Sequence, residues 1–235
     1  MSEGISAGRF TLAVATALAI GTGAGFLIDR AIPDDSHRDY LLENPDILPE
    51  MVQALQTQEA RAQLADIRTD LETPFPGAVL GNPSGTVTLV EFTDYSCTYC
   101  RASLANVQAL IEANPDLRVV IREWPILSDA SVAAARMGLA AARQGKYGEF
   151  HRAMYEVDAP AEEAIEIAAG RAGLDMAQAR KDIADPALDA ELQKSSALAR
   201  RMGFDGTPAW IVGDTVLAGA VGKDTLAEAI ESARE

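Results

Sequence analysis

Strand-like and helix-like stretches follow one another along the chain in an informative order. "TVTLVEF", Thr86 to Phe92, is rich in β-branched and apolar residues and predicts a buried strand. From Cys97, "CTYCRASLANVQALIEANP" changes to helical spacing, with Leu104, Val107, Leu110 and Ile111 on its apolar face. "LRVVIREW", Leu117 to Trp124, predicts the next strand. Alanine-rich helical sequence then runs from about Ser128 to Met202, punctuated by Pro160 and Pro186. Within it Tyr147, Phe150, Met154 and Val157 recur on one face. His151 falls off that face, which predicts an exposed or edge histidine. "TPAWIVGDTVLAGA", Thr207 to Ala220, predicts a hairpin turning at Gly213-Asp214. "GKDTLAEAIESARE" predicts a closing helix with Leu226, Ala229 and Ile230 facing inward.

The order strand–helix–strand, helical block, strand–strand–helix predicts an α/β protein. It is a thioredoxin fold over residues 73–235 with a helical insertion at about 126–203. The Pro- and Gly-rich "TPFPGAVLGNPSG", Thr73 to Gly85, marks its start. Two segments precede it. Within residues 1–30, Phe10 to Ile28 is uncharged, and about 18 apolar residues are enough to span a bilayer. It reads as an uncleaved membrane signal-anchor or as a secretory signal peptide, with "GTGAG" supplying small residues for cleavage. Either reading puts the rest of the chain outside the cytoplasm. Residues 31–72 predict a helical region: a short helix at Tyr40, Leu41 and Leu42, ended by Pro45, then a longer one opening on Pro49 and reaching Glu72. The stripe Ala60, Leu64, Ile67 and Leu71, with Met51 and Leu55 upstream, packs either on the following domain or on copies of itself. The second case makes residues 33–72 a homo-oligomerisation region.

Composition narrows the function. At 235 residues and 48% hydrophobic content the chain can bury one substantial core and a small appendage. A formal charge of −15 repels phosphates and argues against a nucleic-acid partner. There are two cysteines, Cys97 and Cys100, too few for a disulfide-stapled scaffold.

The spacing of that pair, at a strand–helix junction, points to redox chemistry. At the start of a helix, unpaired backbone N–H groups favour a thiolate, which makes Cys97 the attacking sulfur. Cys100, one turn further in, closes the disulfide and resolves mixed disulfides with substrate. Zinc needs about four ligands, and only His37, His151 and carboxylates remain, without finger spacing, so no metal is expected. A structural disulfide closing so short a loop would add little stability. Glu91, inside an apolar strand, is either a proton acceptor near Cys100 or a strand-edge carboxylate facing solvent. Thr207-Pro208 opens the hairpin as a cis pair beside the cysteines or as an ordinary trans turn.

"VEFTDYSCTYC", "REWPILS" and "GFDGTPAWIVG" together resemble the DsbA-like branch of the thioredoxin superfamily, from about Pro74 to the C-terminus. "YLLENPDILPEMVQAL", Tyr40 to Leu55, resembles the N-terminal region of its ScsC-like subgroup, associated with copper tolerance. The resemblance implies a cis Thr207-Pro208 contacting substrate opposite Cys97 and Cys100, and Glu91 as the buried acid. It implies no cofactor beyond the Cys97–Cys100 disulfide. The partners it implies are exported thiol or disulfide proteins, a membrane redox partner and copies of the chain, with periplasmic location. DsbA has Pro-His between its cysteines, where this chain has Thr98-Tyr99. Without a histidine to stabilise the thiolate, Thr98-Tyr99 tunes the pair away from a strong oxidase. Thr207 before the proline also resembles isomerases and reductases. An oxidase, or a Cu(I)-binding copper-tolerance protein using both thiolates, is the alternative.

Overall fold

The computed structural model describes residues 35–157 and 159–234, apart from some side chains of the first two helices, Ala60 among them. The segment expected to anchor or export the chain, residues 10–28, lies outside the described residues. The chain divides into two compact units, Met1–Leu55 and Gln56–Glu235. In the first, α1 (Asp35–Glu43) is closed by Asn44, whose side-chain amide donates to the Tyr40 carbonyl at 2.8 Å. Helix α2 (Ile47–Glu72) follows and begins two residues before Pro49. The proline therefore sits inside the first turn, where its missing N–H still costs no intrahelical bond. Tyr40, Leu41, Leu42, Leu48, Met51, Val52 and Leu55 are all exposed in this unit.

The second unit contains the rest of α2 and a sheet in the order β1-β3-β2-β4-β5: β1 (Val79–Gly81), β2 (Val87–Thr93), β3 (Leu117–Glu123), β4 (Ala209–Val212) and β5 (Thr215–Ala218). Strands β2 and β3 run parallel, and the other pairs are antiparallel. The parallel pair needs a crossover, which α3 (Thr98–Ala113) supplies. Strand β1 was not expected. Three residues in a Gly- and Pro-rich stretch carry no periodicity, and pairing with β3 makes it a strand. The helical block is α4 (Asp129–Arg143), α5 (Tyr147–Glu156), α6 (Glu162–Arg171), α7 (Met176–Asp182) and α8 (Pro186–Arg201). Helix α9 (Lys223–Ser232) closes the chain. Caps set several of these starts: Ser128, Asp175 and Asp185 each accept a backbone N–H of the following turn.

Alternation along the strands builds two cores. Leu89, Val119, Ile121 and Trp210 pack with Val107 and Leu110 of α3 and Leu226 and Ile230 of α9. Val90, Phe92, Val120 and Ile211 pack with Leu198 of α8, Phe204, and Leu64, Ile67 and Leu71 of α2. The stripe of α2 thus belongs to its own domain, which answers half of the question it raised. The apolar residues without cover in this unit's N-terminal neighbour are those between Tyr40 and Leu55.

Arg122 fastens α2 to the sheet. Its side chain is fully buried, and it donates to the carbonyls of Leu71 at 3.0 Å, of Asp70 and of Thr73, and to Glu191 at 2.7 Å. These carbonyls end α2 and have no intrahelical donor. Arg122→Ala should therefore lower unfolding stability by about 3 kcal/mol, because it leaves a partly buried carboxylate and several carbonyls at the end of α2 without their donor. Denaturant titration would measure this, and a loss under about 1 kcal/mol would contradict the role.

Candidate active site

Cys97 is the N-cap of α3, with extended backbone, and its Sγ receives the Cys100 N–H at 3.4 Å. Its thiol donates to the Thr207 carbonyl at 3.2 Å. That carbonyl belongs to the Thr207–Pro208 bond, which is cis. Sequence-distant segments thus converge: the strand–helix junction and the approach to the hairpin. Both thiols are free. Thr98 opens α3, and Tyr99 projects from it at 64% exposure, while Cys100 is buried at 1%. The Thr207 hydroxyl is buried, and its side chain opposes the upward shift of the Cys100 thiol.

Glu91 lies on β2 between Ile121 of β3 and Trp210 of β4, so it is on a central strand and not an edge. It is 3% exposed. The reading as a solvent-facing carboxylate is therefore ruled out. Burial pushes its acidity up to about 8, the charge of Glu123 adds to this, and a hydrogen bond with Thr93 opposes it. Cys100 feels the same environment. Burial pushes its thiol up to about 12, and the Glu91 charge adds to the shift. The side chain one turn into the helix is thus a neutral thiol facing a carboxyl that can take its proton.

Asp94, in a loop before a helix where an aspartate is common, and Glu123 complete the surroundings of the pair. Asp94, 1% exposed, accepts the N–H groups of Ser96 at 2.7 Å, Ile126 at 2.8 Å and Leu127 at 2.9 Å. It ties the loop before Cys97 to the loop after β3 and holds the exposed pair Ile126 and Leu127 there. Glu123 ends β3 in the register position opposite Thr93 and is 2% exposed. It is a carboxyl in an apolar strand, the feature that drew attention to Glu91. Glu123 Oε1 accepts the hydroxyls of Tyr147 at 2.7 Å and Tyr95 at 2.9 Å. Burial pushes Glu123 up to about 8 against these bonds, with the Asp94 charge adding.

The expectation of an exposed His151 is overturned. It is 2% exposed, stacked on Tyr147 and edge-on to Tyr155, with Nδ1 3.1 Å from the Tyr95 hydroxyl. Helix α5 is buried on two sides, so a single apolar stripe understates its covered surface. Burial, helped by the Arg152 charge, holds His151 down at about 3, and it is neutral. Among the described residues no group of three or more potential metal ligands occurs, and no helix is long and apolar enough to cross a membrane.

Known proteins resemble the chain in both sequence and fold. The family described as "DSBA-like thioredoxin domain" matches residues 88–231, and the family described as "Copper resistance protein ScsC N-terminal domain" matches residues 38–62. A thioredoxin-like oxidoreductase from Silicibacter pomeroyi is 45% identical, with a TM-score of 0.64 over 66% of this chain and 91% of that one. The thiol-disulfide exchange protein alpha-DsbA2 from Wolbachia pipientis is 27% identical, with a TM-score of 0.69 over 76% of this chain and 97% of that one. Among curated proteins, the Na(+)/H(+) antiporter NhaA of Herminiimonas arsenicoxydans is 28% identical over 72% of this chain. The chain spans 28% of that protein's length.

The buried groups make a pH signature. Between about 4.5 and 8 the folded protein keeps protons on Glu91 and Glu123 that the unfolded chain has released, so stability falls as pH rises. From about 3 to 6.5 His151 acts the other way, because the unfolded chain binds a proton that the folded one refuses. The fall is therefore steepest above about 6.5, where the carboxyls are unopposed, approaching about 2.7 kcal/mol per pH unit for two protons. Urea unfolding across this range should show it, and Glu91→Gln should about halve the slope. An unchanged slope would mean that Glu91 is ionised in the folded protein throughout.

Proposed function

The chain belongs to the DSBA-like thioredoxin family, and from that premise we propose that it is a thiol–disulfide oxidoreductase acting on exported proteins. The observation that carries the reading is the asymmetry of the pair: Cys97 at the helix start beside Thr207, Cys100 buried against Glu91. Cys97 thiolate attacks a substrate disulfide. The Cys97–substrate S–S bond forms, the substrate S–S bond breaks, and the departing substrate sulfur leaves as a thiolate that takes up a proton. Glu91 carboxylate then accepts the Cys100 proton. The Cys100 thiolate attacks Cys97 Sγ, closes the Cys97–Cys100 disulfide and expels the second substrate sulfur. The substrate gains two electrons and the protein loses them; run backwards, the same steps oxidise a substrate. Thr207 and Pro208 offer backbone for an extended substrate beside Cys97, and exposed Tyr99, Ile126 and Leu127 give it an apolar rim.

Thr98-Tyr99 and Thr207 favour reductase or isomerase duty over strong oxidation. The exposed apolar residues from Tyr40 to Leu55 coincide with the ScsC N-terminal match and support self-association outside the cytoplasm, by a cleaved or anchored leader at residues 10–28. A membrane protein is the class of partner that would restore the redox state. Copper handling by the two thiols is a second reading, favoured by the description of that N-terminal family.

Insulin reduction and reactivation of scrambled ribonuclease test the first reading. Cys97→Ser should abolish both, whereas Cys100→Ser should accumulate mixed disulfides with substrate. Full activity in Cys97→Ser would defeat the mechanism, and tight anaerobic Cu(I) uptake with negligible turnover would favour the second reading.

Self-association has a separate test, and the cut must respect the core. Removing residues 33–72 would strip Leu64, Ile67 and Leu71 from Val90 and Phe92. Removing residues 1–55 leaves the compact unit whole. Sedimentation should show the protein lacking residues 1–34 as an oligomer and residues 56–235 as an active monomer. A monomer in both cases would reject the assembly role.

A further inference from the structure

The exchange steps use Glu91 and Cys100, yet a second set of buried polar groups lies on the same face of the sheet. Positions 91 and 93 of β2 share that face, and Glu123 stands opposite Thr93. Thr93 bonds the Tyr155 hydroxyl at 2.6 Å, and the ring of Tyr155 lies 5.1 Å from that of Tyr95. Tyr95 bridges Glu123 Oε1, at 2.9 Å, and His151 Nδ1, at 3.1 Å. Tyr147 makes a second bridge, at 2.7 Å and 3.4 Å. Glu123 Oε2 is buried and has no hydrogen-bond partner. Space around the carboxyl is tight. A Cβ at Gly138 would stand 3.0 Å from Glu123 Oε1 and 3.1 Å from the Tyr95 hydroxyl, so glycine is what lets α4 cover it.

His151 and Tyr147 also line a cavity of about 600 Å³ with Leu80, Leu104, Gln108 and Ile111; its walls include neither cysteine. Nδ1 lies within reach of both tyrosine hydroxyls, and Nε2 is the ring nitrogen left to exchange a proton. A proton can then pass without leaving a charged tyrosine or imidazolate. Nε2 takes one proton from solvent, Nδ1–H passes to the Tyr95 oxygen, and the Tyr95 O–H passes to Glu123. The imidazole ends neutral in its other tautomer, and the carboxylate ends protonated.

We propose that Glu123, bridged by Tyr95 and Tyr147 to His151, is a second proton store that sets the charge on Glu91 and thereby the ease with which Cys100 releases its proton. Glu123 is a positioning residue, since it acts through Glu91, and the inference rests on the exchange reading above. Asp94, Tyr95 and Tyr147 act on it directly, with His151 behind the tyrosines and Arg152 the cation acting on the histidine; Glu91, which it acts on, in turn faces Thr93, Tyr155 and Cys100. Two other carboxyls, Glu91 and Asp94, thus interact electrostatically with Glu123. Ionising Glu123 makes Glu91 hold its proton more tightly, in a dry site where charges act strongly.

Glu123→Gln keeps an oxygen for both tyrosine hydroxyls and removes the titration. Using the full-length protein, the rate of mixed-disulfide resolution by Cys100 would be followed against pH. The midpoint should move down by about half a pH unit or more, roughly a threefold change in proton affinity. An unmoved midpoint in a folded variant overturns the proposal. If the wild-type protein forms no mixed disulfide, the exchange reading itself fails, which is a different result. Where Glu123→Gln does not fold, carboxyl NMR of the wild-type dithiol and disulfide forms decides. Glu123 should titrate at different pH in the two forms, and identical titration overturns the proposal.

Discussion

Two carboxyl groups shut out of water on one face of a sheet govern much of this domain. Glu91 and Glu123 sit on the adjacent strands β2 and β3, Glu91 with both backbone edges paired, and both side chains are buried. Neither meets a cation. Each meets hydroxyls instead, which soften the cost of charge without fixing it. A buried carboxylate paired with arginine would stay ionised at every physiological pH. These two change protonation near neutrality, which is what a group moving protons to and from thiols requires.

The contrast stands one residue away. Arg122 precedes Glu123 on β3, so alternation sends it to the opposite face. There it meets the end of α2 and Glu191 and remains charged. One strand end thus performs two tasks through its pleat: Arg122 fixes a helix permanently, and Glu123 titrates. Asp94 follows a third pattern. Its carboxylate is satisfied by three backbone N–H groups and acts as a structural tie between the two loops that border Cys97.

Much of this was legible in the residues. The Cys97–Cys100 spacing at a strand–helix change, the carboxyl in "TVTLVEF" and the Thr-Pro before the hairpin each carry a local signal, and the structure brings those segments together. Glu123 carried the same signal as Glu91 but lay at the end of its strand, where a carboxyl is unremarkable. His151 was misjudged because helical periodicity identifies one face, and α5 is covered on two. The stripe of α2 could be recognised as apolar, but its partner could not, since periodicity names no opposite surface. Strand β1 exists through its pairing alone, which no three-residue pattern can announce.

The geometry also separates two properties that a CxxC motif usually presents together. Redox poise depends on how well the attacking sulfur is held as a thiolate, and Cys97 meets the Cys100 N–H and the Thr207 carbonyl at the start of α3. The speed of resolution depends on Cys100, which is one turn deeper, burdened by burial and by Glu91. Lowering the cost of ionising Cys100 would hasten release of bound substrate without moving the first attack. For isomerase duty the opposite bias is useful: a reluctant Cys100 leaves the mixed disulfide alive long enough for another substrate thiol to attack it. Glu91 keeps its proton up to about pH 8, and once ionised its charge opposes a thiolate at Cys100.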